Sequence, residues 1–148
     1  MAVTVRRAHS EDLALLTSLE AASFREAWSE GAIASHLATE GAVSLIAEDA
    51  GGTPLGYLLG FSLFGEGELL RIAVLEGARR QGAGTALLQG FLDILKENEA
   101  EACFLEVRKS NLTAQALYAR AGFLPIGERK NYYKNPTEDA LTLVRRPL

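Results

Sequence analysis

A short apolar strand, a glycine-containing turn and an amphipathic helix follow one another in residues 69–90, and this arrangement most constrains the fold of the chain. The apolar strand ends at Val74, and the turn carries two arginines before Gly82 and Gly84. Glycine lets a backbone approach a ligand closely, and the first amides of the following helix have no partner within that helix. Such amides, at the positive end of the helix dipole, bind phosphate groups. The turn therefore predicts a phosphate or pyrophosphate site.

The common nucleotide-binding motifs do not describe this turn. No Gly-Lys-Ser/Thr follows the glycines, and the three glycines of a G-x-G-x-x-G motif are not present. We therefore expect a phosphorylated ligand other than a simple nucleoside triphosphate or NAD. An ordinary strand-to-helix turn, with glycines for tightness and arginines for solubility, remains open while the turn is considered alone.

Length and charge limit the class of protein. With 148 residues, 48% of them hydrophobic, the chain has the size of one domain and can bury a continuous core. We expect residues 1–148 to form a single domain. The formal net charge is −4, and acidic and basic residues are interspersed. This distribution argues against a nucleic-acid partner.

Cysteine content and hydropathy point to a cytoplasmic protein. The single cysteine, Cys103, cannot form an internal disulfide, and it lies in an apolar run, where we expect it to be buried in the core. The longest apolar stretch, residues 55–64, is too short and too interrupted by glycine to span a bilayer. No apolar signal region follows the arginines at positions 6 and 7. We therefore expect a cytoplasmic location and no membrane partner.

The hydropathy pattern predicts the order of strands and helices. Strand-like runs cover residues 3–6, 43–48, 55–64, 68–74, 103–107, 123–128 and 140–144, and helical periodicity covers residues 10–22, 29–41, 82–98 and 112–121. The predicted order is therefore β-α-α-β-β-β-α-β-α-β-β. Strand–helix–strand units usually place their two strands parallel, so we expect parallel strands before and after the glycine turn. The predicted fold class is α/β (α+β), a single mixed β-sheet with helices on both faces.

The two histidines carry no functional signal in the sequence. Neither His9 nor His36 is an obvious partner for Cys103, so the sequence does not indicate a cysteine nucleophile. We expect His9 to lie in a loop and His36 to be a polar residue on the surface of its helix.

Several further stretches, most of them between residues 69 and 140, carry specific motifs. They are Ile72-Ala73-Val74, Leu105-Glu106-Val107-Arg108-x-Ser110-Asn111, Ala116-Leu117-Tyr118-x-x-x-Gly122-Phe123, Arg129-x-Asn131-Tyr132-Tyr133, Glu138-Asp139-Ala140 and, in the first half, Trp28-Ser29. Together with the turn at residues 79–84 and the predicted element order, they resemble the GCN5-related N-acetyltransferase (GNAT) superfamily. Within it they resemble the ribosomal-protein-alanine N-acetyltransferase (RimI) family.

The resemblance implies an enzyme that uses acetyl-CoA and no metal. The implied acceptor is the N-terminal α-amine, alanine in particular, of a small-subunit ribosomal protein. The implied cofactor-binding residues are Ile72, Ala73, Val74, Arg79, Arg80, Gln81, Gly82, Ala83, Gly84 and Thr85. Asn111 is implied to bind the pantetheine arm, although capping of the following helix explains it nearly as well. The oligomeric state is not indicated.

The implied reaction needs a base, and Glu106 is the candidate. An α-amine with a pKa of about 8 is mostly protonated at neutral pH and must lose a proton as it attacks the thioester. The strand around Glu106 alternates, so that Phe104 and Glu106 share one face. If the strand is central and covered on both faces, this carboxylate lies in a cleft or is buried. A carboxylate that faces solvent from a half-exposed strand is the alternative.

The departing thiolate needs a proton or a hydrogen bond, which a phenol can supply. Tyr118 matches the family's acid position and follows Asn111 by seven residues, about two helical turns on nearly the same face. An ordinary core tyrosine is the alternative. The backbone N–H of Val74 is the predicted donor to the oxyanion. Tyr132 and Tyr133 are candidates to wall a peptide groove, or ordinary aromatics at a strand edge.

The chain departs from the family's pattern where a peptide would lie. Arg71 stands where an asparagine is common, Ala27 replaces a proline, and Lys134 is inserted after the tyrosine pair. A relative that acetylates a small amine, such as an antibiotic, a polyamine or an amino acid, is therefore an open alternative. A catalytically silent acyl-CoA-binding module is another, and the predicted base and acid argue against it.

Overall fold

Seven strands and four α-helices form in the computed structural model, which describes residues 2–148. The strands are β1 (Thr4–Arg7), β2 (Ala42–Glu48), β3 (Pro54–Leu63), β4 (Glu66–Val74), β5 (Ala102–Arg108), β6 (Leu124–Tyr133) and β7 (Glu138–Arg145). The helices are α1 (Leu13–Ser23), α2 (Glu30–Ala38), α3 (Ala83–Glu97) and α4 (Leu112–Arg120). The predicted order of elements is confirmed. Within this part of the chain, no helix is both long and apolar enough to cross a membrane.

The strands form one mixed sheet in the order β1-β2-β3-β4-β5-β7-β6. Its parallel pair is β4 and β5, as predicted, and the other neighbouring strands are antiparallel. The β4–β5 pairing begins at Glu66↔Ala102 and ends at Leu69↔Leu105. Beyond Leu69, β4 stays paired with β3 but has no partner in β5. A gap therefore opens between β4 and β5 toward their C-terminal ends.

Helices cover both faces of the sheet, as predicted. The residues of α3 buried against one face include Leu87, Leu88, Phe91, Leu92 and Leu95. The apolar residues of α1 and α2 buried against the other face are Leu16, Leu19 and Ile33. Alternate residues of β5 face α3, among them Cys103, which is fully buried as predicted. The intervening residues of β5, including Glu106, therefore face the side of α1 and α2.

A β-bulge interrupts the pairing of β3 with β4. Leu59 pairs with Arg71 and Gly60 with Leu69, which leaves Leu70 as an extra residue on β4. Because of this extra residue, Leu70 and Arg71 both lie on the side of α1 and α2, where Leu70 lines a pocket together with residues of α2 and Arg71 reaches α1. The bulge falls where β4 leaves β5.

His36 differs from its prediction as a polar surface residue. It is only 5% exposed, and its ring packs edge-on against the rings of Trp28 and Phe61 at centroid distances of 6.1 and 4.9 Å. Burial lowers the pKa of its imidazole, which favours the neutral ring. The prediction was wrong because His36 follows the inward-facing Ile33 by three residues and so shares its buried face. His9 is exposed and precedes a short 3₁₀ turn, as expected of a loop residue.

Candidate active site

The backbone of β4 supplies polar groups to the gap between β4 and β5. The bond from the N–H of Leu75 to the carbonyl of Leu55 shows which β3–β4 pairs exchange hydrogen bonds. Such pairs alternate along an antiparallel ladder, so Ala73 bonds to β3 while Ile72 and Val74 do not. The N–H and C=O groups of Ile72 and Val74 therefore point toward the gap. The Val74 amide, which is the predicted oxyanion donor, is one of these groups.

The turn between β4 and α3 presents a row of free backbone amides. Within residues 2–148, the amides of residues 80–85 donate no hydrogen bond. Gly82 caps α3 with a left-handed φ of 83°, and Arg80 is also left-handed, with a φ of 69°. Left-handed residues in a turn can aim successive N–H groups into one concavity, which favours an anion. Together with the dipole of α3, this turn fits a phosphate or pyrophosphate.

The side chains of the turn divide between solvent and the core. Arg79 and Arg80 are exposed and form no salt bridge with any residue that the structure describes, so both charges are available to an anion. A Cβ at Gly82 would meet nothing within 4 Å, so glycine is needed there for its backbone conformation rather than for space. Gly84 lies where a Cβ would be 3.7 Å from side-chain atoms of Leu117 and Val74.

The remaining predicted cofactor residues of the turn lie around these glycines. Ala83 is buried, Gln81 is half-buried and Thr85 is exposed. The Oε1 of Gln81 is shielded from solvent and has no hydrogen-bond partner among the described residues. Gln81 therefore brings an unused polar atom to the same turn as the free amides.

Glu106 follows Leu105, the last residue of β5 that pairs with β4, and stands beside the gap. Its side chain is 20% exposed. Its Oε2 accepts hydrogen bonds from Nε of Arg129 and from Oγ1 of Thr142, both at 2.7 Å. No described residue donates to its Oε1. The carboxylate is thus held in place through one oxygen, and the other oxygen remains free to receive a proton.

Tyr118 projects from α4 into the core on the α3 side of the sheet. It is 5% exposed, and its ring packs edge-on against Phe123 at a centroid distance of 5.9 Å. Burial, followed by the nearby Tyr133 and Cys103, raises the pKa of the Tyr118 hydroxyl above its ordinary value. The phenol therefore stays protonated near neutral pH, which is the form that can donate. Packing and proton donation are both compatible with this position.

Asn111 caps α4 at its N-terminus. Its Oδ1 accepts a hydrogen bond of 3.1 Å from the backbone N–H of Ala114. This capping is the structural use that the sequence left open for Asn111. Its Nδ2 donates to no residue that the structure describes, so the amide retains a donor that a ligand can use.

Tyr132 and Tyr133 stand at the end of β6, with ring centroids 5.0 Å apart and planes at 87°. Tyr132 is 48% exposed, whereas Tyr133 is half-buried beneath the guanidinium of Arg108, 4.5 Å from its ring centroid. Burial, then Tyr132 and Glu106, raise the pKa of Tyr133 to about 12. Tyr133 thus lies close enough to interact electrostatically with both the predicted base and Tyr118.

A buried charged cluster beside the gap was not predicted. Glu20 of α1 is fully buried and accepts hydrogen bonds from the hydroxyl of Tyr57 and, at 2.7 Å, from the backbone N–H of Trp28. It also forms a salt bridge of 3.0 Å with Arg71. Burial and the bond to Glu20 raise the pKa of Tyr57 well above its usual range. The signal in the sequence that could have revealed this cluster is that the acidic Glu20 and the basic Arg71 each lie inside an apolar run.

Arg71 fastens the loop between α1 and α2 to the sheet. Its guanidinium carbon lies 4.2 Å from the ring centroid of Phe24 and 5.4 Å from that of Trp28. The guanidinium also donates to the backbone carbonyl of Glu26 at 3.2 Å. From the β6–β7 turn, Asn135 donates to the carboxylate of Glu26. The loop and the turn therefore meet on the side of the sheet that carries Glu106.

Comparison with known proteins assigns the chain to a family. Residues 13–123 match the model of the Acetyltransferase (GNAT) family. An N-alpha-acetyltransferase of Sulfurisphaera tokodaii is 34% identical over an alignment of 157 positions, which covers 97% of this chain and 92% of that protein. The ribosomal protein bS18-alanine N-acetyltransferase of Escherichia coli is 45% identical over 74 residues, which cover 50% of this chain and 49% of that protein.

Solved structures lead to the same assignment. The crystal structure of the ribosomal-protein-S18-alanine N-acetyltransferase from Escherichia coli superposes with a TM-score of 0.90 at 30% identity. The superposition covers 99% of this chain and 94% of that one. The match of fold thus extends over almost the whole length of both chains. The chain therefore belongs to the GNAT family and is an N-acetyltransferase of that type.

Proposed function

We propose that this enzyme transfers the acetyl group of acetyl-CoA to the N-terminal α-amine of a protein in the cytoplasm. The proposed N-terminal residue is alanine, and the proposed acceptor is a small-subunit ribosomal protein. The observation that carries the proposal is the placement of an anion-binding turn and of the partly buried Glu106 at one and the same strand gap. The names of the relatives from S. tokodaii and E. coli support an acceptor of this class.

Acetyl-CoA would supply a thioester-activated acetyl group, and the residues around the gap fit it. The free amides of residues 80–85, with Arg79 and Arg80, match the charge of its pyrophosphate. The backbone groups of Ile72 and Val74 that point into the gap match the amides of a pantetheine arm, and the free donor of Asn111 can add to them.

The reaction needs a base, a donor to the oxyanion and an acid, and one group is proposed for each. Glu106 accepts a proton from the acceptor amine at Oε1, directly or through one water, as the nitrogen forms its bond to the acetyl carbon. The N–H of Val74 donates to the oxygen that gains negative charge. Tyr118 donates its hydroxyl proton to the sulfur as the carbon–sulfur bond breaks. The proton from the amine and the proton to the thiolate are thus both accounted for.

The departure at Arg71 is compatible with a peptide acceptor. Its guanidinium is engaged by the carboxylate of Glu20 and by the carbonyl of Glu26. Because the positive charge is compensated within the fold, Arg71 adds no free charge to the acceptor side. Tyr132 and Tyr133 supply an aromatic wall next to Glu106, which suits an extended backbone.

The acceptor class can be tested by measuring thiol release from acetyl-CoA with matched acceptors. We expect turnover with a peptide whose N-terminal residue is an alanine with a free α-amine. We expect no turnover with the same peptide after chemical blocking of that amine. Polyamines, amino acids and aminoglycosides serve as comparison acceptors. Turnover with one of these small amines but with no peptide would contradict the proposal. Mass spectrometry of ribosomal proteins from cells with and without the enzyme then identifies the natural N-terminus.

Glu106→Gln is expected to lower kcat by roughly 10²–10⁴-fold, because an amide cannot accept the proton from the amine. The affinity for CoA, measured by calorimetry, should stay unchanged, since the hydrogen bonds and the salt bridge of Glu106 go to Arg129 and Thr142 and not to the turn at residues 80–85. Glu101→Gln is the matched control, because it changes an exposed acid next to β5. Wild-type turnover in Glu106→Gln at neutral pH would rule out the role of base.

Tyr118→Phe is expected to fold, to bind acetyl-CoA and to react at least about tenfold more slowly in a single turnover, because the proton donor to sulfur is lost. The single-turnover rate is the appropriate measurement, since product release can mask the chemical step in the steady state. Thr113→Val, which removes the hydroxyl of an exposed residue of the same helix, α4, is the control. An unchanged rate in Tyr118→Phe would assign Tyr118 to core packing alone.

Gly82→Val is expected to weaken CoA binding at least about tenfold, because a β-branched residue strongly disfavours the φ of 83° that aims the amides of the turn. Calorimetry with CoA measures this affinity directly. Gly77→Val is the control, since Gly77 also has open space around its Cβ position but has no positive φ. Equal affinity in the wild type and Gly82→Val would show that pyrophosphate binds elsewhere.

A further inference from the structure

An apolar pocket of about 380 Å³ lies between α2 and the sheet, on the same side of the sheet as Glu106. Its walls include the rings of Trp28, His36 and Phe61 and the side chain of Leu70, and Ala32 stands exposed at its rim. The volume falls at the lower end of the roughly 300–1,000 Å³ range of small-ligand sites. It suits one large side chain better than a cofactor.

The pocket is continuous with the candidate acceptor side of the active site. Leu70 is the first residue of β4 beyond the last β4–β5 pair, and Glu106 is the first residue of β5 beyond it. The bulge turns Leu70 to the side of the sheet that Glu106 faces, so Leu70 belongs to the pocket and to the edge of the gap. Trp28 likewise borders both, since its ring lies 5.4 Å from the guanidinium of Arg71.

His36 contributes an uncharged aromatic ring to the wall of the pocket. It is only 5% exposed, and it lines the pocket together with Trp28 and Phe61. Burial favours the neutral imidazole by lowering its pKa, so the ring adds no charge to the wall. A neutral ring set edge-on between Trp28 and Phe61 offers aromatic surface to a neighbouring side chain.

The surroundings of the gap favour this pocket as part of the acceptor path. The loop at residues 24–29 is held by Arg71, and through Glu26 it contacts Asn135 of the β6–β7 turn. Leu70 is left outside these contacts and lines the open pocket. An acceptor whose amine reaches Glu106 can therefore continue past Leu70.

We propose that this pocket binds a large apolar side chain of the acceptor protein, at a position downstream of the acetylated residue. The inference rests on the proposed function, since it requires a peptide acceptor. A charged side chain would lose hydration in the pocket without gaining an oppositely charged partner, because no Asp, Glu, Lys or Arg lines it and burial favours the neutral form of His36 by lowering its pKa. The pocket would thus select acceptors by sequence at a distance from the reacting amine.

The test uses peptides that begin with alanine and otherwise consist of serine and glycine. One leucine or phenylalanine replaces serine at each of the five following positions in turn, and kcat/KM is measured for every peptide. We expect one position at which the apolar residue raises kcat/KM by roughly tenfold or more. The ratio of this kcat/KM to that of the all-serine peptide is the measured selectivity.

Two variants of α2 connect the selectivity to the pocket. Ala32→Phe places a ring at the rim of the pocket and should abolish the selectivity. Ala38→Phe, at another exposed alanine of the same helix that does not line the pocket, should keep it. Calorimetry with CoA establishes that both variants fold. If Ala32→Phe fails to bind CoA, Ser35→Phe, at another exposed rim position, takes its place.

The outcomes separate the two proposals. Selectivity that is lost in Ala32→Phe and kept in Ala38→Phe supports the pocket as the subsite. Acetylation of every peptide at one rate, or selectivity that survives Ala32→Phe, overturns the subsite and leaves the proposed function standing. If no peptide is acetylated, the proposed function fails, and the subsite fails with it.

Discussion

The separation of two parallel strands is the constraint on which the rest of the site depends. β4 and β5 share four paired positions and then part, which leaves backbone groups of Ile72 and Val74 without a strand partner on one side. Polar backbone groups away from water need a hydrogen-bond partner, so a gap of this kind is stable only if water or a ligand satisfies them. The same parting sets Glu106 at the edge of the gap. The parting of β4 and β5 thus supplies both the unpaired backbone groups of the gap and the position of the Glu106 carboxylate.

The acceptor side depends on a different interaction, the buried contact of Glu20 with Arg71. Glu20 accepts from the hydroxyl of Tyr57 and from the backbone of Trp28 as well, so its carboxylate is well bonded although it is fully buried. Leaving one charge of a buried pair without its partner costs about 3–5 kcal/mol. Because the cluster joins α1, the α1–α2 loop, β3 and β4, the loop cannot move independently of the strand that lines the gap. This coupling gives Arg71 a structural role on the acceptor side of the sheet.

Sequence periodicity was sufficient for the order of elements, the parallel strand pair and the buried Cys103, because these follow from local alternation and from the handedness of short connections. It was insufficient for contacts between distant residues. The bond of Tyr57 to Glu20 joins residues 37 apart, and nothing near either one specifies the other. His36 was misjudged because α2 buries a wider face than its most apolar residues indicate. The site residues Glu106 and Tyr118 came from motifs rather than from periodicity, and their roles stay predictions.

The β-bulge in β4 shows how one extra residue can serve two requirements. Leu69 must face α3, where it belongs to the core, and strict alternation would then turn Arg71 to the same face, away from Glu20. The guanidinium would be buried among apolar side chains without its carboxylate partner, at a large cost in free energy. The extra residue, Leu70, resets the alternation, so that Arg71 reaches Glu20 while Leu70 itself forms a wall of the apolar pocket. The bulge lies where β4 leaves β5. The position of Leu70 in the pocket wall and the start of the gap therefore depend on the same backbone irregularity.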